Sequence, residues 1–213
     1  MTDAVALAKL ALAQVGGQRL VSLSEDSPEA TAINDSLWAV RRDEIAANIW
    51  GFARKRAELS AETTAPAFGF TKQYVIPADS LRILAVRRAG SNWYYPGLVV
   101  EAEPSLPFAI EGRRILTNLD APLQIEYLFD EDTVANWSAS FTMMVGVRLA
   151  EIIAYDLSDT AALTDRLTRR YEQALQRAVL TNECQTLPAR PPDSEWLVAR
   201  GGQRYVPLAS VAT

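Results

Sequence analysis

The chain has 213 residues, 49% of them hydrophobic and 22% charged, with a formal net charge of −5 and a pI near 4.9. This composition predicts a folded globular protein rather than a disordered one, and the acidic balance disfavours tight binding to nucleic acid. The sequence has no histidine, which excludes the usual serine and cysteine triads and histidine-ligated metal sites.

The single cysteine, Cys184, excludes a disulfide framework and a cysteine-based zinc site, and it fits a reducing cytoplasm. The first residues lack the basic start and the cleavage site of a signal peptide. No segment approaches the roughly 20 apolar residues that a membrane span needs. We therefore expect neither secretion nor a membrane partner.

The first part of the sequence predicts two helices. Residues 3–15 repeat small and apolar side chains at helical spacing, and Gly16 ends that pattern. Ser27 is a suitable N-cap, so a second helix is predicted from Pro28 to Leu59. Its apolar residues form two stripes: Ile33, Leu37, Val40 and Ala47 on one side, and Trp38, Ile45, Ile49 and Phe52 on the next. Such a helix is expected to lie between other helices or to face an adjacent subunit.

The middle of the chain changes to the alternation that is typical of strands. Strands are predicted at residues 70–76, 81–86, 93–95, 98–101, 108–110, 114–117 and 123–129. Short segments rich in proline, glycine and aspartate separate several of them and supply the turns. The pattern predicts a small antiparallel β meander, inserted as a lobe over residues 60–132.

Helical spacing returns at residues 137–157, which are apolar almost all round, so Arg148 needs a carboxylate or carbonyl partner there. A fourth helix is predicted from Thr160 to about Glu183, capped by Ser158. The predicted fold class is α+β, a four-helix bundle of residues 1–59 and 133–184 that carries the inserted β lobe. Prolines predict that residues 185–213 form an extended C-terminal arm.

Four segments, in this order, resemble the tail tubular protein A, or head-to-tail adaptor, family of short-tailed bacteriophages. They are IWGFARKRAEL (49–59), VIPADSLRIL (75–84), IEGRRILTNLDAPLQIEYL (110–128) and FTMMVGVRLAEIIAYDL (141–157). The resemblance covers roughly residues 3–183, and these are residues of the fold rather than of a catalytic site.

The resemblance implies a structural virion protein, made in the host cytoplasm, that forms a ring at the head–tail junction. Such a ring is usually twelve-fold, joins the portal protein to the tail nozzle protein, and lets double-stranded DNA pass without specific binding. Ring formation can wait for the portal, so a monomeric isolated chain is consistent with this role. The resemblance implies no catalytic residue and no cofactor.

Two other classes remain open from the residues alone. A virion-associated carbohydrate or peptidoglycan hydrolase would need two carboxylates flanking the scissile bond, and Glu111, Glu126, Asp130 and Glu131 are the candidates. The run Asp130 to Asp132 lacks the glycine and the bidentate glutamate of an EF-hand, so charge at a helix start is the favoured interpretation over a metal site. A DNA-binding module is the second alternative.

Interface residues are predicted in two places. Arg54, Lys55 and Arg56 form the basic cluster most open to phosphate contact, although ion pairing is the favoured role of the basic doublets. In the C-terminal arm, large apolar and basic side chains predict contact with the same subunit, a neighbour or a partner. These arm residues are Arg190, Trp196, Leu197 and Tyr205.

Overall fold

The computed structural model describes residues 2–17, 20–88, 108–158 and 161–185. Within these ranges the chain forms four helices and two antiparallel sheets of three strands each, which confirms the α+β class. The helices are α1 (Thr2–Val15), α2 (Pro28–Ala47), α3 (Ala139–Ser158) and α4 (Ala161–Glu183). The strands are β1 (Arg54–Leu59), β2 (Lys72–Val75), β3 (Ser80–Arg88), β4 (Phe108–Glu111), β5 (Arg114–Thr117) and β6 (Leu123–Phe129).

Helix α3 is central, because it packs against α1, α2 and α4. Its apolar residues Phe141, Met144 and Leu149 are fully buried, as the nearly all-apolar sequence predicts. Gly146 allows α1 to approach closely: a β-carbon at this position would lie 2.6 Å from Cδ2 of Leu10. The small residue therefore sets the distance between the two helices.

Helix α2 begins as predicted. Ser27 is extended, its side chain accepts a hydrogen bond from the backbone N–H of Ala30 at 3.2 Å, and Pro28 is the first helical residue. In the first predicted stripe Ile33 and Val40 are buried in the core, Leu37 is half-buried and Ala47 is exposed. The other is not a continuous internal stripe, because Trp38 is 60% exposed.

The predicted continuation of this helix to Leu59 is wrong. Helix α2 ends at Ala47, Asn48 is extended, residues 51–53 form one 3-10 turn, and residues 54–59 form β1. The break buries Trp50 completely, and its indole N–H donates to the carbonyl of Glu44 at 2.8 Å. Arg82 supplies a second partner for the open end of α2 by donating to the carbonyl of Ala46 at 2.8 Å. Residues 54–59, assigned to the bundle from sequence, thus belong to a sheet.

The strand order also differs from the predicted meander. The sheets have the orders β1-β6-β3 and β2-β5-β4, so β6 lies between two strands that come earlier in the sequence. Among the described strands only β4 and β5 are both sequential and paired, and Gly112 (φ +57°) lies in their turn. The predicted strands at 93–95 and 98–101, and residues 186–213 of the predicted arm, lie outside the described residues.

An aromatic cluster, Trp50, Phe52, Trp137 and Phe141, joins the helices to the chain that enters β1. The ring of Phe141 is at its centre, 4.8 Å from Trp50, 4.8 Å from Phe52 and 5.1 Å from Trp137 between centroids. The same core includes Leu84 of β3 and Leu128 of β6. The first sheet is therefore fixed to the helices by side-chain packing.

Candidate functional site

The predicted basic cluster lies on strand β1, at the edge of the first sheet, rather than on a helix. The guanidinium of Arg54 donates two hydrogen bonds to Oε1 of the buried Glu126, from Nε at 2.7 Å and from Nη2. Nζ of Lys55 is 2.8 Å from Oδ2 of Asp79. Arg56 is also engaged in an interaction. The charges of Arg54 and Lys55 are therefore balanced within the subunit.

The Lys55–Asp79 pair shifts both groups towards their charged forms. The hydrogen bond to Asp79 raises the pKa of Lys55. Partial burial by itself would raise the pKa of Asp79, but the hydrogen bonds from Lys55 and Tyr127 and the charge of Lys55 lower it. Both side chains are largely exposed, at 51% and 38%, so solvent screens the pair.

The acidic run at the end of β6 has structural partners. Asp130 accepts hydrogen bonds from Arg41 at 3.0 Å and from Arg42 at 2.8 Å, which ties α2 to the sheet. The carboxylate of Glu131 accepts from the backbone N–H of Thr133 and from the side chain of Asn136. These contacts give the run a structural role. The prediction of charge at the start of the third helix is wrong, because α3 begins at Ala139 and has no acidic residue in its first turn. No group of three or more potential ligands that could hold a metal ion occurs among the described residues.

The four hydrolase candidates do not form a pair of carboxylates that both lack partners, and Glu131 is already held by Thr133 and Asn136. Glu126 is paired with Arg54 and Asp130 with two arginines, whereas Glu111 is exposed at the end of β4. Each paired carboxylate connects two elements of the fold, so a structural role accounts for it without catalysis.

A buried polar cluster between α2, α3 and α4 was not predicted as a unit. Glu44 is 3% exposed, and its two carboxylate oxygens accept from the hydroxyl of Tyr171 at 2.8 and 3.0 Å. Arg148 approaches Glu44 to 3.6 Å and Glu151 to 2.6 Å. Thr168 completes the cluster by donating to Glu151 at 2.6 Å. The prediction that Arg148 needs a carboxylate or carbonyl partner is confirmed, and the partners are carboxylates.

Burial raises the pKa of two acidic groups in this cluster, Glu44 and Tyr171. Desolvation raises the pKa of Glu44 and outweighs both the hydrogen bond from Tyr171 and the charge of Arg148. Desolvation also raises the pKa of Tyr171, and the hydrogen bond to Glu44 adds to the rise. The cluster lies between three helices that pack together, so we interpret it as a structural contact that fixes their relative positions. The signal in the sequence was Glu44 itself, a charged residue four positions after Val40 on the buried stripe.

The surface offers two further features. Trp38 on α2 is exposed, and the guanidinium of Arg42 lies 5.1 Å from its ring centroid. A groove of about 730 Å³ runs between the start of α3 and the second half of α4, and Gln185 lies at its edge. The predicted arm residues Arg190, Trp196, Leu197 and Tyr205 lie outside the described residues.

The chain matches no family model and no curated protein. Within the described part of the chain, none of the helices is both long enough and apolar enough to cross a membrane.

Proposed function

We propose that this chain is a head-to-tail adaptor subunit of a short-tailed bacteriophage. Copies of it form a ring, twelve-fold as is usual in the family it resembles, between the portal protein and the tail nozzle protein and around the DNA channel. In this proposal the four helices act as one bundle, the sheets form an inserted lobe, and residues 185–213 form a partner-binding arm. The role is structural and uses no catalytic residue.

One observation carries the proposal: the four segments that resemble the adaptor family meet in space. The first and third pair as β1 and β6, and the second and third pair as β3 and β6. Lys55 of the first segment contacts Asp79 of the second, and Trp50 of the first packs on Phe141 of the fourth. The four segments therefore form one connected framework, which is what segments that specify a shared fold require.

The exposed face of α2 supplies a surface for the neighbouring subunit. A ring requires two different surfaces on each subunit that bind each other head to tail. Trp38 is a large aromatic side chain that the subunit leaves exposed, and aromatic side chains of this kind dominate interface energetics. We assign this face to contact with a second copy of the chain.

The charge pattern supports passage of DNA rather than tight binding. Affinity for DNA depends on cations that are available to neutralise phosphates. In this chain Arg54 and Lys55 have carboxylate partners, and the net charge is −5. A wall with this composition would let DNA move along it.

The test is to mix the purified chain with the portal protein of the same phage genome and to examine the product by size-exclusion chromatography and negative-stain imaging. We expect a ring complex, and we expect Trp38→Ala to reduce its yield about tenfold or more, as for a residue central to an interface. Phe68→Ala is the matched control, because Phe68 is also an exposed aromatic, at 89%, but lies in the loop after β1.

Absence of any association between chain and portal would overturn the proposal. If Trp38→Ala and the control Phe68→Ala both abolished the ring, the exposed face of α2 could not be assigned to the contact between subunits. A purified glycosidic activity abolished by Glu126→Gln or Asp130→Asn, with the fold unchanged, would establish the hydrolase class instead.

A further inference from the structure

The groove between α3 and α4 has the features of a site for a peptide that is both apolar and acidic. Its apolar surface includes Met143, which is 45% exposed, and Ala174. Arg170 and Arg177 line the same groove, are exposed, and have no ion-pair partner among the described residues. Ligand pockets that enclose most of a small molecule have volumes of about 300–1,000 Å³, so the groove can accept a large side chain and its neighbours.

The chain itself contains a segment of matching chemistry. Residues 193–198 read Asp-Ser-Glu-Trp-Leu-Val, with two carboxylates next to an indole and two aliphatic side chains. The carboxylates complement Arg170 and Arg177, and the indole complements Met143 and the stems of the arginines. An apolar surface beside the two cations favours such a peptide over a nucleic acid, which would require a more extended basic surface.

Chain length allows this contact within one subunit. Gln185 is the last described residue and lines the groove, so the following segment starts at its edge. Eleven residues lie between Gln185 and Trp196 when Trp196 is counted, and at about 3.1 Å per residue a proline-rich chain of that length reaches roughly 34 Å. The groove follows α4 back from Gln185 to Arg170, about 22 Å at 1.5 Å per residue. The tether is long enough to turn and lie along it.

We propose that this groove binds the Asp193–Val198 segment of the same chain, with Trp196 over Met143 and the two carboxylates at Arg170 and Arg177. A segment on a short tether has a local concentration in the millimolar range, so the contact within one chain prevails over contact between chains in dilute solution. The inference is independent of the adaptor role. If that role holds, the arm must leave the groove before it binds another protein.

Disulfide trapping in the full chain tests this contact. The background is Cys184→Ser, which removes the exposed native thiol. Ala139→Cys and Leu197→Cys are added, because Ala139 is exposed, lines the groove one turn before Met143, and leaves Met143 in place. We expect a disulfide within one chain, formed at a rate independent of protein concentration and about tenfold faster than in a control pair. The control replaces Ala139→Cys by Phe68→Cys, which is also at an exposed position but lies outside the groove. Non-reducing gels and thiol counting by mass spectrometry follow the reaction.

Charge reversal sharpens the same test. Arg170→Glu with Arg177→Glu should slow trapping about fivefold, since two exposed ion pairs become like-charge contacts. Asp193→Arg with Glu195→Arg should restore the rate in that background. Thermal unfolding of each variant checks that the fold is retained.

Three results would overturn the proposal. They are equal trapping rates in the groove pair and the control pair, disulfide-linked dimers as the main product, or trapping that charge reversal and its rescue leave unchanged. Dimers would show that the groove holds the arm of a second copy. Loss of binding to a DNA oligonucleotide on Arg170→Glu with Arg177→Glu, together with equal trapping rates, would assign the groove to nucleic acid.

Discussion

The buried cluster around Glu44 and the exposed pair of Lys55 and Asp79 use the same chemistry in opposite environments. Each sets a carboxylate beside a cation and a tyrosine hydroxyl. Burial dominates at Glu44 and raises its pKa, whereas the partners dominate at Asp79 and lower its pKa. The sign of a shift therefore depends on solvent access as much as on the identity of the partners.

The same difference determines what each group contributes to stability. Removal of one partner from the buried cluster leaves a charge that water cannot reach, so a large loss is expected. At the surface, solvent and salt replace most of a lost ion pair. The comparison thus predicts effects that differ in size, in salt dependence and in their response to pH.

The largest effect is expected for Arg148→Ala. This change leaves Glu44 and Glu151 without their cation and should lower the free energy of unfolding by about 2–3 kcal/mol, somewhat below the full penalty of a buried pair because part of Arg148 reaches solvent. Urea denaturation measures the change. Arg166→Ala is the matched control, since Arg166 is exposed on α4 and has no ion-pair partner among the described residues; it should cost less than about 0.5 kcal/mol. Equal losses would mean that the buried cluster contributes nothing specific.

A second effect concerns pH and has opposite signs at the two sites. The raised pKa of Glu44 contributes stability that is full below its ordinary value of 4.5 and is lost as pH rises through the folded-state pKa. The lowered pKa of Asp79 contributes stability that is present above 3.8 and is lost as pH falls through the folded-state pKa. Compared with the parent, Glu44→Gln should therefore have a lower free energy of unfolding mainly at acidic pH. Asp79→Asn should have a lower free energy of unfolding mainly at neutral pH.

Unfolding free energies of the parent and both variants, measured from about pH 3 to pH 8, check these signs. Parallel curves for the two variants would contradict the comparison. Tyr171→Phe provides a further control at the buried site, because it removes the hydroxyl that donates to Glu44 without changing a carboxylate.

The smallest effect is expected for Lys55→Ala. Its partner Asp79 remains accessible to water, so the change in unfolding free energy should be smaller than that of Arg148→Ala and should disappear at about 1 M salt, where the Debye length is about 3 Å. Denaturation at low and high salt measures it. A loss as large as that of Arg148→Ala, unaffected by salt, would show that the edge of the sheet is a rigid part of the framework.

The sequence predicts properties of single residues in the buried cluster around Glu44, but it does not predict which of these residues contact one another. The need of Arg148 for a carboxylate or carbonyl partner follows from its position in an apolar helix, and Tyr171 recurs at helical spacing with the apolar Leu167 and Ala174. Glu44 is 104 positions away from Arg148 in the sequence, and no local pattern brings the two together. The same limit applies to Lys55 and Asp79, which meet only because β1 and β3 flank β6.

The sequence by itself determined the α+β class, the start of α2 at Ser27 and Pro28, and the positions of α1, α3 and α4, because caps and apolar periodicity are local signals. It did not determine the fate of residues 48–59. Arg-Lys-Arg-Ala-Glu-Leu consists of good helix formers, yet residues 54–59 pair with β6 and Trp50 is fully buried beside Phe141. Only the tertiary structure decided this, because a neighbouring strand and an aromatic core stabilise the extended chain by more than the small preference for a helix.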